Sequence, residues 1–280
     1  VNGTSMLDVR GTVEGSTGSA ATFTGGPGPS TLRIAAGGTL HADGDLGAGN
    51  DTLAITGNLD TDTAGLGLGA GDDTVVLNDG AVISGTGIDA GDATVADTLQ
   101  INNTADLAFD GTGFSGFEQL SKHDAGVLTL TGTQTFAVGT DVAEGTLDVD
   151  GTLETATVAL ADDTTLNVDG TVQGTGGAPA TITGSAGANT LAVNAGATLV
   201  ADGDLGDGND AVDLAGTLDT GVDGLALGAG DDTLTLHDGA SLAGTGVDAG
   251  VGTGDQLILD NAAAFTFNGG MTAGFEALLK

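Results

Sequence analysis

Two aspartates stand in near-identical settings, Asp51 in Gly47-Ala48-Gly49-Asn50-Asp51 and Asp73 in Gly69-Ala70-Gly71-Asp72-Asp73, and each has a counterpart later in the chain, Asp210 and Asp232. Carboxylates beside glycine carbonyls are the donors a hard cation takes, and calcium collects about 6 to 8 such oxygens. Stacked at one corner of a repetitive fold, these four would form like-charged ladders that a cation relieves. The same residues also make good corners without any ion. Aspartate side chains hydrogen-bond turn backbone, and glycine supplies positive φ. Asp51, Asp73, Asp210 and Asp232 are therefore read first as structural corner residues, with calcium as the one cofactor to weigh and no cofactor required.

The remaining chemistry is sparse. Three histidines are present, and hydrolytic sites usually set one beside a nucleophile or metal. His41 is matched by Val200 and His237 by Asn78 in the other copy of an internal repeat, while His123 stands alone, so all three read as solvent-facing positions. The pair Asp72-Asp73 suggests the acid and base of a polysaccharide-cleaving enzyme. Such sites add aromatic platforms or basic residues, and this chain has 8 Phe, no Trp or Tyr and 4 basic residues. The expectation is that the chain is not an enzyme and has no catalytic residues. Phe109, Phe114, Phe117, Phe265, Phe267 and Phe275 cluster before changes of register and read as core plugs, with a hydrophobic docking patch as the alternative.

Composition asks for a particular kind of scaffold to hold these residues. Glycine numbers 53 and cysteine is absent, yet 39% of residues are hydrophobic, mostly small aliphatics spread evenly. That distribution argues against disorder and suits a solenoid, in which each coil buries a few side chains against its neighbours. A formal net charge of −35 excludes nucleic acid and anionic lipid as partners. Without cysteine there are no disulfide staples or thiolate metal sites. No apolar run reaches the roughly 18 residues of a membrane span, and Val1-Asn2-Gly3 has no signal-peptide character, so the chain reads as a fragment not itself inserted in a membrane.

Asp43-Gly44-Asp45-Leu46-Gly47 returns as Asp202-Gly203-Asp204-Leu205-Gly206, a sequence offset of 159, and Leu7–Val13 returns at the same offset as Leu166–Val172. After a single deletion near Asp255 the offset becomes 158, matching Phe117–Lys122 with Phe275–Lys280. One full unit at 1–159 and a truncated second at 160–280 are thus expected within a single solenoid. A shorter period lies inside each unit. Triplets with two aliphatics on one face open at Leu32, Leu53, Val75 and Leu99, at intervals of 21, 22 and 24, and at Leu191, Val212, Leu234 and Leu257, at intervals of 21, 22 and 23. Alternation over such short stretches is a strand signal, and helical periodicity is absent. The pattern predicts an all-β fold, a right-handed parallel β-helix of roughly twelve coils. Each coil is expected to hold about 22 residues and at least two faces, with glycine and aspartate at the corners.

Two resemblances sharpen this. Lys122-His123-Asp124-Ala125-Gly126-Val127-Leu128-Thr129-Leu130-Thr131-Gly132, then Thr135-Phe136 and Glu144-Gly145-Thr146-Leu147-Asp148-Val149, resembles the passenger-associated transport repeat of bacterial autotransporters. The resemblance covers 117–150, with Phe136 where tyrosine is common in the family and Ala137–Thr140 lacking the usual double glycine. It implies a β-helical stem exported through the outer membrane of a Gram-negative bacterium to the cell surface. The implied role is adhesion to host-cell or matrix components, or self-association into aggregates and biofilm. Separately, Gly47–Leu53 and Gly69–Val75 are similar to single nonapeptides of the calcium-binding repeat-in-toxin family. There, consecutive nonapeptide turns share each ion. Here the interval between the two is 22, not nine, so the neighbouring turn that would complete the shell is missing, and a calcium-stabilised extracellular module is the alternative reading.

Overall fold

The computed structural model describes residues 5–91, 96–262 and 268–280. Phe265 and Phe267, the beginning Val1-Asn2-Gly3 and residues 92–95 lie outside the described residues. The fold is a parallel β-solenoid, all-β with about 3% helix, in about 13 coils. Its strands are short because glycine- and aspartate-rich corners interrupt them every few residues. Among the described residues, no helix is long and apolar enough to cross a membrane.

The chain divides into two compact units, Val1–Thr104 with Gly111–Ser121, and Ala105–Asp110 with Lys122–Lys280. In the first unit, strands Ser5–Val9, Ser30–Ile34, Thr52–Ile55, Thr74–Leu77 and Thr98–Asn102 stack in parallel and in register. Leu7, Leu32, Leu53, Val75 and Leu99 form one column and Val9, Ile34, Ile55, Leu77 and Ile101 a second. Period-two alternation sends both columns inward. From Leu32 onward the first column is fully buried, and each aliphatic side chain so buried contributes roughly 1.5–3 kcal/mol.

Two further faces close the coil, one more than the minimum expected. Leu40 stacks on Leu59 and Leu59 on Ile83 along the second face. On the third, strands Leu66–Gly69 and Ile88–Gly91 stack with Leu66 under Ile88. The corner leaving this face needs glycine. Gly69 has φ +114°, and a Cβ there would lie 1.8 Å from the carbonyl oxygen of Gly47 in the adjacent coil.

The second unit repeats the scheme along a nine-strand ladder from Leu107–Phe109 to Ala277–Leu279. Coil length is not uniform. Leu128, Leu147 and Leu166 are stacked partners at a sequence interval of 19, whereas Leu191, Val212 and Leu234 follow one another at 21 and 22. The shorter coils begin in the transport-repeat-like segment and run past it to Leu166. They lack the Gly-x-Gly corner, and they also turn between their second and third faces in fewer residues, 137–138 against 220–224.

Candidate functional site

In the longer coils a Gly-x-Gly corner precedes the first-face strand, as at Gly47–Gly49 before Asp51, and that aspartate enters the interior. Strand alternation puts residue 51 on the same side as Leu53 and Ile55, so the side chain of Asp51 turns inward. Asp73, Asp97, Asp210, Asp232 and Asp255 occupy the equivalent position, and all six are at most 1% exposed.

A backbone N–H at such a corner has no strand partner and needs an acceptor. The aspartate of the next coil supplies it. The Ser30 amide donates to Asp51 Oδ1 (2.6 Å), Asp51 to Asp73 Oδ1 (2.6 Å), Asp73 to Asp97 Oδ1 (2.7 Å) and Asp97 to Glu118 Oε2 (3.1 Å). In the second unit the Asn189 amide donates to Asp210 Oδ1 (2.6 Å), Asp210 to Asp232 (2.7 Å), Asp232 to Asp255 (2.7 Å) and Asp255 to Glu276 Oε2 (3.0 Å). Each ladder begins on a neutral polar residue and ends on a glutamate.

Only half of each carboxyl is used. Oδ2 of Asp51, Asp73, Asp97, Asp210, Asp232 and Asp255 is buried without a hydrogen-bond partner. Burial pushes Asp73, Asp97 and Asp210 up to about 6, and raises Asp51 and Asp232 as well, against the opposing effect of the amide hydrogen bonds. Neighbouring carboxylates add to the rise, Asp45 and Asp72 in the first unit and Asp204 and Asp231 in the second.

The calcium candidates are thus brought together in pairs, Asp51 with Asp73 and Asp210 with Asp232, through an amide rather than through a shared oxygen shell. Among the described residues, three carboxylate oxygens converge within 4.8 Å at Asp148, Asp150 and Asp169, none of them a ladder residue. There the side-chain amide of Asn167 donates to Asp148 (2.7 Å) and Asp169 (3.0 Å), and that of Asn194 donates to Asp169 (2.9 Å). Burial raises Asp148.

The pair Asp72-Asp73 is split by strand alternation, Asp72 exposed and Asp73 buried. His41 lies 3.7 Å from Asp62, and His237 stands between Asp213 and Asp260, with Nδ1 3.1 Å from Asp260. Lys122 is fully buried, its ammonium donating to the backbone carbonyls of His123 (3.0 Å) and Asp124, and burial lowers its pKa. Phe109 and Phe117 are buried, and the rings of Phe114 and Phe117 meet tilted with centroids 6.2 Å apart.

A groove on the third face recurs in each unit at matching positions. One, of about 500 Å³, includes Gly44, Leu66 and Asp89, and the other, of about 280 Å³, includes Gly203, Leu225 and Asp248. Comparison with known families, curated proteins and solved structures finds no match for this chain.

Asp97, Asp255, Glu118 and Glu276 went unread in the sequence as ladder members. The signal was present. Each stands two positions before an aliphatic strand residue, Leu99, Leu257, Leu120 and Leu278, as Asp51 does before Leu53.

Proposed function

We propose that this chain is part of the β-helical stem of a bacterial autotransporter passenger, held at the cell surface, where its sides make adhesive or self-associating contacts. The observation that carries the reading is the repetition of one coil design in both copies of the long internal repeat, with matching corner ladders and matching grooves. A modular stack of this kind extends by adding coils and offers the same lateral surface many times, which suits a stem and weak, multiply repeated contact. The transport-repeat-like segment supports the autotransporter part of the reading, and its Lys122 carries a structural role in the interior.

Binding partners in this reading are host-cell or matrix components, or sister molecules. The charge of −35 sets a condition on self-association, because like-charged sides repel unless salt or cations screen them. Beads coated with the chain, applied to epithelial cells and matrix proteins and watched for clumping across ionic strength, test the proposal. Retention on a surface, or clumping that grows as salt rises, is the expected result. Beads that stay dispersed and unattached at every ionic strength would overturn it.

A further inference from the structure

We infer that Asp51, Asp73 and Asp97 of the first ladder and Asp210 and Asp232 of the second are proton-binding arrays: in mildly acidic solution they take up protons on their orphaned oxygens, and the solenoid is more stable in that protonated form. These five aspartates, each at most 1% exposed, have one oxygen accepting an amide hydrogen and the other with no partner. An ionised carboxylate in that setting leaves its charge half-compensated in a dry corner, and the next charge in the ladder lies one coil away.

The charged groups acting on the ladders add to the difficulty. Asp51, Asp73 and Asp97 face Asp45, Asp72 and Glu118, and Asp210 and Asp232 face Asp204, Asp231 and Asp255, all acidic. A proton removes the charge and leaves the Oδ1 acceptor in place. A metal ion fits less well, since Oδ1 is committed to an amide and the ladder does not gather three carboxylate oxygens within 4.8 Å. The chain contains a neutral rung of its own. Asn189 begins the second ladder, accepting from the Ser185 amide through Oδ1 (3.3 Å) and donating through its side-chain nitrogen to the Ala161 carbonyl (2.7 Å).

The sign follows from linkage. Asp73, Asp97 and Asp210 bind protons at about 6 when folded and at the ordinary aspartate value of 3.8 when unfolded. Between these values the three carboxyls hold more protons in the folded chain than in the unfolded one. Stability therefore rises as pH falls from about 6 toward 4, and this contribution is absent above the folded value.

The test is thermal unfolding of the full chain from pH 4 to 8 in chelator at fixed ionic strength, beside two triple variants. Asp73→Asn, Asp97→Asn and Asp210→Asn keep every amide acceptor. Asp163→Asn, Asp207→Asn and Asp223→Asn remove as many charges from exposed positions. The expected result is a midpoint that falls as pH rises from 4 to 6, a flatter profile and a higher midpoint at pH 7.5 for the ladder variant, and an unflattened profile for the surface variant. Equal flattening by both variants would overturn the inference by tracing the effect to net charge. Should the ladder variant not fold, proton uptake by wild type, compared between folded and urea-unfolded protein, decides. More protons bound when folded at pH 5 is expected, and equal or fewer overturns the proposal. A wild-type midpoint at pH 7.5 that drops on chelation would overturn it in favour of a bound cation.

Discussion

Two kinds of coil share the second unit. The coils opening at Leu128, Leu147 and Leu166 carry Gly126, Gly145 and Thr164 at the position that enters the corner, whereas those opening at Val212, Leu234 and Leu257 carry Asp210, Asp232 and Asp255. Thr164 is buried and donates its hydroxyl to the Ala161 carbonyl, closing its corner locally. The longer coils add a Gly-x-Gly step, which turns the chain more widely and leaves an amide pointing along the stack. A carboxylate from the next coil then completes it. The comparison teaches that the buried acid belongs to the wide corner. It arises from a backbone amide in need of an acceptor, with no catalytic or metal role required.

Glycine positions differ widely in what a side chain costs. Gly228→Ala, at φ +113° with its Cβ 1.7 Å from the Gly206 carbonyl oxygen, is expected to lose roughly 3–5 kcal/mol of stability, combining overpacking and left-handed strain. Gly132→Ala, where the chain leaves a first-face strand and the nearest contact is at 3.7 Å, is expected to lose only the conformational part, about 1–2 kcal/mol. Urea unfolding of both variants checks the ratio. Equal losses would show that the close approach of the Gly206 carbonyl does not restrict the Gly228 corner.

Next in size is the acceptor itself. Asp73→Ala strands the buried Asp51 amide and is expected to cost about 1–3 kcal/mol at neutral pH, while Asp73→Asn retains an oxygen acceptor and costs less or stabilises. Equal urea midpoints for the two variants would show that the amide does not depend on the side chain. Smallest is the exposed carboxylate. Asp163→Asn is expected to fall within about 0.5 kcal/mol of wild type in the same assay.

Much of the fold was legible because its signals are local. Triplets such as Leu53-Ala54-Ile55 alternate, recur once per coil and predict stacked parallel strands, which is how Leu32, Leu53 and Val75 lie in the structure. The third face was harder to read, because strands such as Leu66–Gly69 interleave glycine with leucine and resemble turns. The shorter coils around Leu147 also escaped a single-period description. At the candidate site, Asp51, Asp73, Asp210 and Asp232 drew notice through their glycines. Asp97 and Glu118 lack the flanking glycines, and the one local signal they carry is the aliphatic strand residue two positions on, Leu99 and Leu120. The orphaned oxygens depend on packing between coils far apart in sequence, which no local pattern records.

The most direct measurement of the ladder account is a carbon-13 titration of the aspartate carboxyl carbons by NMR, with Asp73, Asp97 and Asp210 assigned. The account expects all three buried carboxyls to titrate at about 6, well above the ordinary aspartate value of 3.8. Titration of the three in the ordinary carboxylate range would contradict it, because the corners would then be solvated and the ladder would hold neither its burial nor its protons.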